Sequence, residues 1–172
     1  MGGSSESRLA GQASLQAGED RRADSLPFLD RFSVPVGAAP EAAWGVTQEA
    51  VTSILTLRVA TVIARLLGCV NTVPSGAGEL AVGNELAGFR VHEAMPPRRL
   101  VLTGEHRLAS YAFLALVAPR GDGGVQLAVE TRARFKGRPG RCYRTVIVGS
   151  GLHEAVMRAV LWFAKRAAEP RV

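Results

Sequence analysis

Between Val125 and Phe135 the chain alternates strictly: Val125, Leu127, Val129, Thr131, Ala133 and Phe135 interleave with Gln126, Ala128, Glu130, Arg132 and Arg134. A period of two puts successive side chains on opposite faces, so this spacing predicts a strand with one face buried and one wet. Shorter runs of the same kind cover Arg31–Val36, Gly88–Ala94, Leu100–Arg107 and Tyr111–Val117, separated by turn chemistry at Pro96-Pro97 and Gly121–Gly124. They read as an antiparallel meander. Pro35 has no amide to donate, which puts the first strand at a sheet edge or turns that position outward. In Tyr111–Val117 the residues Ala112, Leu114 and Leu116 are as apolar as their neighbours, so parity alone does not choose the buried face. A second apolar face there would suit a homodimer surface.

Helical periods bracket the strands. Ala39-Pro40-Glu41 opens a helix, since proline fits the first turn and a carboxylate complements the positive helix end. A second helix runs from Thr56 to Leu67, with Val59, Val62, Ile63, Leu66 and Leu67 on one stripe and Gly68 as its stop. Near the C-terminus Val156, Ala159, Val160, Phe163 and Ala167 share an arc opposite Glu154, Arg158 and Lys165, which predicts a long amphipathic helix. That helix begins either at Leu152 or near Pro139, the latter with Gly149-Ser150-Gly151 as a kink. The fold class is α+β.

Residues 1–25 sustain neither period and read as a disordered tail, which leaves residues 26–172 as one domain. With 47% hydrophobic and 21% charged residues, the chain has an ordinary globular balance. Its longest apolar region, Ile54–Val70, carries Arg58 and Arg65 and falls short of the roughly 20 charge-free residues of a bilayer span. No apolar stretch follows a basic start at the N-terminus, so no secretory signal is read and the cytoplasm is the expected compartment. Cys69 and Cys142 have no partner at ligand spacing; they read as reduced packing residues, with no metal or cofactor implied. The net charge of +6 bears on solubility and nonspecific attraction more than on fold.

Phe32–Trp44, F-S-V-P-V-G-A-A-P-E-A-A-W, resembles the opening of polyketide-cyclase-like proteins, where a strand runs into a Pro-Glu helix start followed by Trp. Gly88–Leu102, G-F-R-V-H-E-A-M-P-P-R-R-L-V-L, resembles their central hairpin. Together with the order of elements, these segments make the chain resemble the START-like, or Bet v 1-like, helix-grip superfamily over about Pro27–Glu169. The resemblance implies a curved sheet wrapped around the C-terminal helix, with a cavity between them for a lipid, a polyketide or another hydrophobic molecule. Carried over by strand parity, it implies a lining of Leu100, Leu102, His106, Tyr111 and Phe113, then Val129, Thr131 and Phe135. Val156, Ala159, Val160 and Phe163 would close the cavity from the helix. The matching residues are packing and turn positions, so they speak for fold and not for chemistry.

Candidate chemistry is sparse. His106 has the parity of Leu100 and Leu102, where burial would shift its pKa; a core histidine satisfied by backbone is the plainer reading. Tyr111 and Tyr143 could offer a phenol to a ligand carbonyl or pack with one wet end. His92 and His153 read as surface or capping residues, and Glu105 and Glu130 fall on the solvent parity without forming a carboxylate pair. Arg132, Arg134, Lys136, Arg138, Arg141 and Arg144 form a basic run with only Phe135 and Tyr143 nearby to stack on bases, which reads as a solvated face. No nucleophile elbow, phosphate loop or metal-ligand histidine pair occurs. These residues favour a non-catalytic carrier or sensor for a small hydrophobic molecule. The alternatives are a polyketide cyclase or aromatase-like enzyme using His106 and Tyr111, and a basic module for nucleic acid or an acidic partner.

Overall fold

The computed structural model describes residues 23–69 and 79–169. One antiparallel sheet holds β1 (Phe28–Val36), β2 (Glu85–Leu86), β3 (Phe89–Met95), β4 (Arg99–His106), β5 (Ala109–Pro119) and β6 (Val125–Phe135), in the order β1-β6-β5-β4-β3-β2. Four helices, α1 (Pro40–Leu55), α2 (Arg58–Leu67), α3 (Gly137–Ile147) and α4 (Leu152–Ala168), complete the α+β architecture. Every expected strand is present, and the short β2 is additional. β1 is an edge strand, the first of the two arrangements that Pro35 allows. The terminal segment is two helices bent by 55° across Gly149-Ser150-Gly151. Gly151, at φ 76°, takes a left-handed conformation that only glycine adopts freely. Both candidate starts, near Pro139 and at Leu152, are therefore real helix starts.

The register settles which face of β5 is buried. Leu102 lies opposite Phe113 and Gly104 opposite Tyr111, so Tyr111, Phe113, Ala115 and Val117 share the helix-facing side with Leu100, Leu102 and His106. Ala112 and Leu114 point to the convex side, where Ala23 and Leu26 pack on them and on Val101. Arg132 donates to the Asp24 carbonyl oxygen at 2.8 Å, and Asp24 pairs with Arg99 at 3.1 Å. Ala23–Ser25, which the sequence places at the end of the tail, are thus a strap on the sheet; residues 1–22 lie outside the described residues. The apolar convex side of β5 is covered at these positions by the chain itself. Beneath the strap Glu130 is buried, not solvated, and is held by Arg132 at 2.7 Å and Arg31 at 3.8 Å. A carboxylate leaves water only with such partners.

α4 presents a different arc from the expected one. Met157, Val160, Leu161 and Ala164 are buried, whereas Phe163 is 51% exposed and meets Trp162 edge-on, with ring centroids 4.9 Å apart. The apolar residues of α4 cover more than half of its circumference, so two arcs compete for the interior. The arc with the small Ala164 wins because α4 packs chiefly against α1 and β1. Phe163 therefore lies away from the space between helix and sheet. Leu161→Ala is expected to lower the unfolding free energy by about 2–5 kcal/mol, and Phe163→Ala by about 0.5 kcal/mol or less. Urea titrations of the two variants giving similar losses would return Phe163 to the core.

Candidate ligand-binding site

The space between the sheet and the helices is solid at one end and hollow at the other. Leu100, Leu102 and Val129, expected to face a ligand, are completely buried in a core shared with Trp44, Val51 and Leu161. Strand parity identifies the concave side but not the position along it, which is why these three were included. The hollow end is a cavity of about 390 Å³, a size typical of small-molecule sites. His106, Tyr111, Phe113, Thr131 and Phe135 line it from the sheet, and Val156 and Val160 from α4. α2 and α3 add Ile63, Ala64, Tyr143 and Ile147, and the end of α1 with the β2–β3 connection adds Ile54, Leu55 and Ala87. The sequence signal for α2 was its apolar stripe, which an ordinary core reading absorbs. Leu57, Val59, Ile63 and Leu152 line the cavity and also reach solvent, which places its mouth between the starts of α2 and α4.

Tyr111 owes its pose to two glycines. A Cβ at Gly104 would overlap both the Tyr111 ring and the Gly88 carbonyl oxygen. The bare backbone lets the phenol lie across β4 and donate to the Gly88 oxygen at 2.7 Å. Gly88 itself sits at φ 80°, in the tight connection between β2 and β3. A glycine inside a strand marks a close approach of this kind, and Gly104 was the available signal in the sequence. Cys69 Sγ lies 3.6 Å from the same phenol oxygen. Burial, reinforced by Cys69, pushes the Tyr111 phenol far above its ordinary pKa. The proton of Tyr111 is thus retained and already engaged. Tyr143 is pushed upward by burial and then by Cys69, and no hydrogen bond joins its hydroxyl to any described residue.

His106, the last residue of β4, is 4% exposed. The Leu108 N–H donates to its Nδ1 at 3.1 Å, so the neutral ring carries its proton on Nε2. Burial, followed by the nearby Lys136 and Arg107 cations, lowers its pKa from the ordinary 6.5, against a smaller upward pull from Glu105. Tyr111 and Tyr143 flank the imidazole, with centroids 5.4 Å and 5.1 Å away. Among the described residues nothing accepts a hydrogen bond from Nε2. The chamber therefore offers an N–H donor and a phenol in otherwise apolar walls, and no carboxylate lines it among the described residues. His153, at the rim, pairs with Asp30 at 3.1 Å. No cluster of metal-ligating side chains occurs among the described residues.

The basic run is divided among several structures. Arg132 and Arg134 donate to strap carbonyls, Lys136 pairs with Glu105 and donates to the His106 carbonyl oxygen, and Arg144 lies 6.0 Å from the Phe135 ring centre. Arg138 and Arg141 stand exposed on α3.

This sheet, gripping a C-terminal helix with a chamber between them, is the helix-grip fold of START-like and Bet v 1-like proteins. Truncated norcoclaurine synthase from Thalictrum flavum superposes with a TM-score of 0.53 over 86% of this chain and 99% of its own, at 12% identity. The di-domain ARO/CYC StfQ of the steffimycin biosynthetic pathway gives 0.53 over 88% of this chain and 53% of its own, at 15% identity. A Mycobacterium smegmatis protein gives 0.52 over 85% and 99%, at 9% identity. At such identities the likeness is one of fold. No protein-family model and no curated protein matches the sequence.

Two measurements probe this geometry. Gly104→Ala is expected to destabilise the protein by about 1–3 kcal/mol through overpacking against Tyr111, while Gly121→Ala, with open space around it, stays near neutral. For His106 the neutral ring is the native form. The unfolded chain takes up a proton near pH 6.5, whereas the folded chain resists protonation until lower pH. The contribution of His106 is thus fully present above about pH 6.5 and is lost as pH falls toward the lowered native pKa. His106→Gln should flatten that acid slope; parallel slopes in wild type and variant would contradict a buried neutral imidazole.

Proposed function

We propose that the chamber binds one small, mostly apolar molecule bearing a hydrogen-bond acceptor, and that the protein acts as its carrier or sensor. The observation that carries this reading is His106, which lines an apolar cavity with its Nδ1 taken by the Leu108 amide and its Nε2–H without a protein partner among the described residues. In such apolar surroundings a hydrogen bond to an acceptor on the ligand is stronger than the same bond in water. Phe113, Thr131, Phe135, Val156 and Val160 would supply the apolar contacts. Leu100, Leu102, Val129 and Phe163 are left out of the proposed contact set by their places in the fold.

The enzymatic alternative assigns proton transfer or carbonyl polarisation to His106 and Tyr111. A general base needs a free lone pair, yet both His106 nitrogens are committed, Nδ1 to the Leu108 amide and Nε2 to its own proton. Tyr111 donates to Gly88, and its raised pKa disfavours release of that proton. Holding a ligand asks only for the donor that His106 already presents.

Titration with an anilinonaphthalene sulfonate dye, displaced by a fatty acid, tests the proposal. One dye per chain is expected, and His106→Ala should weaken the fatty acid by about 1–2 kcal/mol while the fold persists. Ala133→Phe, which fills the chamber, should abolish binding. Dye binding that survives Ala133→Phe would place the site elsewhere.

A further inference from the structure

α2 carries more apolar surface than the chamber uses. Val59, Ala60, Ile63, Ala64 and Leu67 line the cavity. Val62 and Leu66 do not; they are 52% and 71% exposed and lie on the arc that also holds Arg58 and Arg65. Across the mouth, Val146 at the end of α3 and Leu152 at the start of α4 are exposed as well. Large aliphatic side chains gathered at one rim mark a contact surface.

The charges on the two segments that carry these side chains have one sign. Residues 56–69 contain Arg58 and Arg65 and no acid; residues 136–153 contain Lys136, Arg138, Arg141 and Arg144 and no acid. Arg58, Arg65, Arg138 and Arg141 have no anionic partner among the described residues.

We propose that this rim docks on an anionic phospholipid bilayer, with α2 in the plane of the surface. Val62, Leu66, Val146 and Leu152 enter the headgroup boundary, and the arginines reach lipid phosphates. No single helix among the described residues is long and apolar enough to cross a membrane, and the docking proposed is peripheral. A fluid interface suits the rim better than a folded acidic partner does, because the outward side chains are aliphatic, offer no hydrogen bonds and are fringed by long arginines that can snorkel. The rim is also the cavity mouth, so an apolar molecule could pass between bilayer and chamber without crossing water. Docking itself needs no ligand and stands apart from the binding reading.

Co-sedimentation of the full chain with phosphatidylcholine vesicles, with and without phosphatidylglycerol, tests this. Binding should favour the anionic vesicles and weaken as salt screens the arginines. Leu66→Asp should lower the partition by about tenfold or more, as expected for a charge placed on an inserted apolar face. Replacing Arg138 and Arg141 together by Gln should remove most of the preference for anionic lipid, and Phe163→Ser should leave binding unchanged. Dye binding in the chamber is measured on each variant, so loss of docking with an intact chamber separates the two proposals. Equal binding to both vesicle types, or no effect of Leu66→Asp, overturns the inference. So does a dimer in solution that Leu66→Asp dissociates, because the rim would then be an interface between copies.

Discussion

The seating of α4 on α1 determines where the concave side of this protein is solid and where it is hollow. α4 packs chiefly against α1 and β1, and the shared core holds the small residues Ala43, Ala50 and Ala164. Small residues let helices approach closely, and interlocked neighbours then fix the rotation about each axis. That rotation turns Met157 and Leu161 inward and Phe163 outward. It also commits α4 to the β1 side of the sheet. The opposite end, carrying His106, Tyr111 and Phe135, is walled by α2, α3, the end of α1 and the first half of α4, with the cavity between them.

Within that cavity two backbone contacts decide the chemistry. The Leu108 amide occupies Nδ1 of His106, and the Gly88 carbonyl takes the Tyr111 proton. Each is a single hydrogen bond, yet together they turn a potential acid/base pair into one fixed donor and one satisfied phenol. Low solvent access reinforces both states, since burial disfavours imidazolium and phenolate alike. These two contacts underlie the proposed recognition of an acceptor on an apolar molecule.

The two faces of the sheet divide the charged residues. On the convex face Arg132, Arg134 and Arg99 are bound to the strap, and Glu130 is buried beneath it between Arg132 and Arg31. These residues act in stability, although by sequence Arg132 and Arg134 belong to the basic run. Arg58 and Arg65 on α2 and Arg138 and Arg141 on α3 have no anionic partner among the described residues. A charge run in the sequence is thus a poor guide to a charge patch, because alternate positions of a strand serve opposite faces and the following helix begins a new surface.

The sequence by itself determined the strands, their antiparallel sense and the start of the first helix at Pro40, because alternation, proline and glycine act over a few residues. For Tyr111 the parity of its strand was open in the sequence, and the pairing of β5 with β4 decided it. Phe163 shows where that reach ends: a helix whose apolar residues cover more than half its circumference has no inward face until a partner selects one. Leu100, Leu102 and Val129 show the same limit along a strand, where parity cannot distinguish the filled end from the empty one. The tautomer of His106 and the engagement of Tyr111 were decided only by tertiary structure. The Gly88 carbonyl lies 23 residues from Tyr111 in the chain and comes within hydrogen-bond distance only when β3, β4 and β5 pair in register.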